Sequence, residues 1–85
     1  MERITEKELV RYVVATLNPD GRAMYLRSLH GGNYDFVEDI EYATKLCGKS
    51  TARAFYRIAC QDLGPHIELV LIPLIITYQL VKEVD

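Results

Sequence analysis

The sequence has no tryptophan, only two cysteines and three prolines among 85 residues, and no long run of like charge. Cys47 and Cys60 are too few for the disulfide framework of a small secreted scaffold. No C-x-x-C or H-x-x-x-H spacing joins them to His30 or His66, so no metal site and no cofactor is expected. The opening Met1-Glu2-Arg3-Ile4-Thr5-Glu6 lacks the apolar core of a signal peptide. The most apolar stretch, residues 67–81, contains Glu68, Pro73, Thr77 and Gln79, and falls short of the roughly 20 residues that cross a bilayer. A soluble, cytoplasmic protein with no membrane partner is therefore expected. A net charge of −2 supplies no global attraction to nucleic acid, so such a role would rest on local charge.

What is present suits one domain over residues 1–85, with a hydrophobic content of 49% to supply its core. Thr5 and Glu8 have capping-box spacing, and Leu9, Val10, Val13, Val14 and Leu17 recur at helical intervals. This pattern predicts a first helix over residues 6–17, ended by the turn Asn18-Pro19-Asp20-Gly21. A second helix is expected over 22–29, stopped by Gly31-Gly32. Asp35 and Glu38 repeat the capping spacing ahead of a Phe36, Ile40, Ala43, Cys47 stripe, which predicts a third helix ending at Gly48. Ser50 caps a fourth, running to about Leu63 and closed by Gly64-Pro65. From His66 the chain becomes β-branched and partly alternating, which favours two strands with a bend at Pro73. One buried C-terminal helix is the alternative, because periodicity alone does not separate the two for so apolar a run.

The third and fourth helices, joined by Cys47-Gly48-Lys49-Ser50, have the composition of a helix-turn-helix. In that motif the second helix enters the major groove, so Lys49, Ser50, Thr51, Arg53 and Arg57 would contact DNA, with Gln61 at the far end. The proposed reading helix carries Lys49, Arg53 and Arg57 against Asp62, whereas the segment before it is acidic. A solvated helix face is the plainer explanation of the same stripe.

The order of elements resembles the winged-helix regulators of the ArsR and MarR type. The segment Leu17-Asn18-Pro19-Asp20-Gly21-Arg22 through Leu29 is similar to that family's opening turn and helix. Ala43-Thr44-Lys45-Leu46 with Lys49-Ser50-Thr51 is similar to its helix-turn-helix, Asp62-Leu63-Gly64 to the close of its recognition helix, and Thr77-Tyr78-Gln79-Leu80 to its last wing strand. The resemblance implies an α+β, mainly α fold, with four helices followed by a C-terminal β-hairpin, and a homodimeric transcriptional regulator of double-stranded DNA. Against the family pattern, Cys47-Gly48 lengthens the turn, and Leu71-Ile72-Pro73-Leu74 stands where a basic wing tip is usual. That apolar segment supports the alternative of a protein-interaction module contacting a partner through residues 67–81.

Other motifs carry less. Residues 43–50 fit a relaxed phosphate-loop pattern, but Ala43 replaces the first glycine and no room exists for a parallel sheet. Ser28 and His30 do not share a helix face, and the carboxylates form no acid–base pair, so no enzyme is expected. The tyrosines read as half-buried packing residues, Tyr56 being the one that could border the exposed face of the reading helix.

Overall fold

The computed structural model describes residues 2–18 and 20–82, and the side chains of 8–18 and 20–78. It contains four strands and one α-helix: β1 (Glu2–Leu17), β2 (Ala23–Ser28), β3 (Tyr34–Val37), α1 (Lys49–Leu63) and β4 (Val70–Lys82). The strands form one antiparallel sheet in the order β3-β2-β1-β4. The expected fold of four helices followed by a hairpin is therefore incorrect, and with it the helix-turn-helix and the winged helix. Only the helix expected at 50–63 forms, beginning one residue earlier.

The physical reason lies in β1. Val13 and Val14 are both fully buried and Ala15 is 1% exposed, so this central strand is covered on both faces. A strand buried on both faces does not alternate, and its apolar run produces helical spacings by coincidence. Its Val, Thr and Tyr residues fit a pleated surface, and the sheet context overrides the capping pattern of Thr5 and Glu8. β1 reverses into β2 through a tight loop in which the Asn18 amide donates to the Arg22 carbonyl at 2.8 Å. The glycines expected to stop a second helix instead turn β2 into β3. Gly31 and Gly32 have φ of 81° and 77°, a left-handed conformation that suits a hairpin and disfavours other residues.

The third expected helix dissolves for a related reason. Asp35 does not cap anything; it lies across from Arg27 in the β2–β3 ladder. Phe36 packs into the core from β3, and only one turn of 3₁₀-helix follows, Ile40–Tyr42, capped by Asp39. Residues 44–46 then enter the gap where β2 leaves β1. Thr44 bonds to Leu26, and Leu46 exchanges two bonds with Tyr12 at 2.8 and 2.9 Å. At the C-terminus, the two strands expected around Pro73 are one continuous strand paired to β1 from Val70 to Lys82.

α1 covers one face of the sheet. Ala52 and Ala59 are fully buried beneath it, and Phe55, Tyr56 and Leu63 pack on a core of Val14, Leu26, Ala59 and Leu69. On the flank toward β3, Tyr34 meets Phe55 edge to face and donates to Asp62 at 2.8 Å, which raises the Tyr34 pKa. On the other flank, the Tyr56 hydroxyl donates to the Leu69 carbonyl at 3.0 Å.

β1 is far longer than the neighbour on its inner side. β2 pairs only with Ala15, Thr16 and Leu17, and Leu46 adds a bridge at Tyr12, while β4 follows β1 along almost its whole length. The outer half of the β1–β4 pair thus leaves the body as a two-stranded arm. The radius of gyration is 16.3 Å, against roughly 12 Å for a compact chain of this length.

Candidate functional site

Two surfaces follow from this architecture. The first is the outer face of α1. Lys49, Ser50, Thr51, Arg53, Arg57 and Gln61, the residues expected to contact DNA, are all exposed there, because Ala52, Ala59, Phe55 and Tyr56 turn the opposite face to the sheet. The helix does bring these six onto one element. It does not present them in a helix-turn-helix, since residues 44–46 are extended and tied to β1 and β2. Among the described residues the ion pairs are Arg22–Asp20 and Arg27–Asp35, and neither includes a cation of α1. Arg53 and Arg57 line a groove of about 490 Å³ with Tyr56, Leu69, Val70 and Leu71.

The second surface is the arm. Val10 stands opposite Ile75 on the face that α1 covers nearer the body, and the two are 49% and 64% exposed. On the other face Ile72 and Tyr78 are also exposed, and Leu74, Ile76 and Tyr78 of that face border a groove of about 520 Å³ with Ile40, Glu41 and Lys45. The arm therefore carries apolar side chains on both faces. Sequence reasoning singled out its β4 half as residues 67–81. It missed Val10 and Leu9, because reading β1 as an amphipathic helix assigned them to a core.

The chemistry available elsewhere is sparse. A further cleft of about 510 Å³ at the end of the sheet is lined by Thr16, Leu17, Asn18, Met24, Phe36, His66, Ile67 and Glu68. Cys47 and Cys60 are free thiols, and no group of three or more metal-ligating side chains occurs among the described residues. Lys49 and Ser50 of the relaxed phosphate-loop pattern open α1 and follow no buried strand. Arg27 grips Asp35 through two donors, with Nε to Oδ1 at 2.9 Å, on the sheet face away from α1. This pairing holds the Asp35 carboxyl below the usual carboxylate range. No helix among the described residues is long and apolar enough to cross a membrane.

No family model, curated protein or solved structure matches this chain.

Proposed function

We propose that this protein is an interaction module that docks through the β1–β4 arm, its partner being a second copy of the same chain. The observation that carries this reading is the pair Val10–Ile75, cross-strand neighbours exposed on an arm that is also apolar on its other face. A two-stranded ribbon is marginal in water by itself, and contiguous exposed apolar surface marks a contact site. A second copy offers the same elongated apolar arm, which is the self-complementarity a two-fold contact requires. A cytoplasmic location belongs to this reading and is supported by the two free thiols. The reading includes no catalytic step. Sedimentation of the wild type over a wide concentration range tests it: reversible association is expected, and a monomer at every concentration would overturn it.

A second reading, contact with duplex DNA along the outer face of α1, is favoured by the stripe of Lys49, Arg53 and Arg57. It calls for salt-sensitive binding of random-sequence duplex by the wild type and loss of that binding in Arg53→Glu.

A further inference from the structure

The groove between α1 and the start of β4 combines a free backbone edge, which neither reading uses, with two arginines that the DNA reading uses without that edge. The edge is a row of backbone groups. In an antiparallel ladder the N–H and C=O of one residue point to the same side, and those of the next residue point to the other. Tyr12 exchanges both of its bonds with Leu46, so it faces away from β4. Its partner across the ladder, Pro73, therefore points out of the sheet along the outer edge of β4, as do Leu71 and Ile75 on either side. Pro73 has no N–H to offer, which interrupts the edge at that point. Leu71 keeps both of its groups, and Pro73 keeps its carbonyl. The free edge beside the groove is thus short and defined.

The other feature is charge. Arg53 and Arg57 border this same stretch of β4, and both are exposed. Four residues apart on a helix, they lie about 6 Å apart along its axis. Alternate side chains of an extended chain are spaced about 6.7 Å, a separation similar to that of the two arginines, which both line the groove.

We infer that this groove binds a short, extended, acidic segment of a partner protein, which adds as a strand to β4 at Leu71 and presents alternate carboxylates to Arg53 and Arg57. Main-chain bonds supply part of the affinity and the arginines select the side chains, the division of labour of strand addition. Duplex DNA would use the arginines but leave the Leu71 edge idle. An acidic chain of net charge −2 also opposes a large polyanion more than it opposes a short peptide.

The test uses the full chain and a fluorescein-labelled peptide alternating Glu with Val, read by anisotropy at low salt. Beside it run the same peptide with Lys for Glu, the Glu peptide with methylated backbone nitrogens, and labelled duplex DNA. The Glu peptide is expected to bind. Reversal of both arginines (Arg53→Glu with Arg57→Glu) should weaken it by roughly tenfold or more, and the Lys and N-methyl peptides should fail. In heteronuclear NMR the Leu71 amide should shift on addition of the Glu peptide. Circular dichroism confirms that the variant is folded; should it unfold, Arg53→Gln with Arg57→Gln takes its place. No binding of the Glu peptide, equal binding by the variant, or binding of DNA alone would overturn the inference. Binding that leaves Leu71 unshifted would overturn strand addition.

Discussion

Replacing Ile75 with Asp probes the arm directly. Ile75 is 64% exposed and lies beyond the cover of α1, so the change should leave the fold intact. Fully burying an isoleucine contributes about 1.5–3 kcal/mol, so covering the exposed two-thirds contributes roughly 1–2 kcal/mol per copy. In a two-fold contact both copies lose it, for roughly 2–4 kcal/mol, or a thirty-fold to several-hundred-fold weaker dimer. The cost of desolvating the new carboxylate adds to this, which makes the figure a lower bound. Sedimentation equilibrium reads the dissociation constant, and urea denaturation monitored by circular dichroism checks that the monomer is equally stable, within about 0.5 kcal/mol. Leu17→Asp is the control. Leu17 is 67% exposed at the opposite end of β1, next to the turn, and should leave association unchanged. An unaltered dissociation constant for Ile75→Asp would refute the reasoning. So would an equal loss in Leu17→Asp, because the effect would then follow from exposed apolar residues anywhere.

Three further outcomes follow from the packing, the charges and the sheet edge. Leu26→Ala empties the largest fully buried side chain and should cost about 3–5 kcal/mol in urea denaturation; a loss under about 1 kcal/mol would contradict its central place in the core. Arg27 depresses the Asp35 pKa in the folded state, so this pair contributes stability above the unfolded carboxylate value and loses it as pH falls through the lower folded value. The acid limb of the stability–pH curve should therefore flatten in Asp35→Asn, and an unchanged acid limb would contradict the linkage. Pro73→Val restores a donor at the outward-facing position of β4 and should promote edge-to-edge association, seen as faster thioflavin T-positive aggregation on mild heating; an unchanged rate would show that Pro73 does not blunt this edge.

Particular residues explain how much could be read in advance. Helix α1 was legible because its face of Ala52, Phe55, Tyr56 and Ala59 is buried on one side only, with Arg53, Arg57 and Gln61 opposite. The extended character of the C-terminal segment was legible from its β-branched residues. Its continuity through Pro73 was not, because nothing local reveals that the missing N–H falls on an outer edge. β2 and β3 were hidden by their brevity: six and four residues give few turns of either periodicity, and Gly31-Gly32 serves a helix end and a hairpin equally well.

Of the four helices read from the sequence one forms among the described residues, and the sequence by itself located that helix and the sites of chain reversal. Those are local properties, set by backbone sterics, glycine and the one-sided burial of an amphipathic face. Only the tertiary structure decided that β1 is a strand, that it outruns β2 to form an arm, and that Arg53 and Arg57 stand beside the open edge of β4. Each of these depends on what covers the second face or edge of a strand. That cover comes from residues far away in the chain, α1 over one face of the sheet and residues 44–46 beside β1, and no local pattern encodes it.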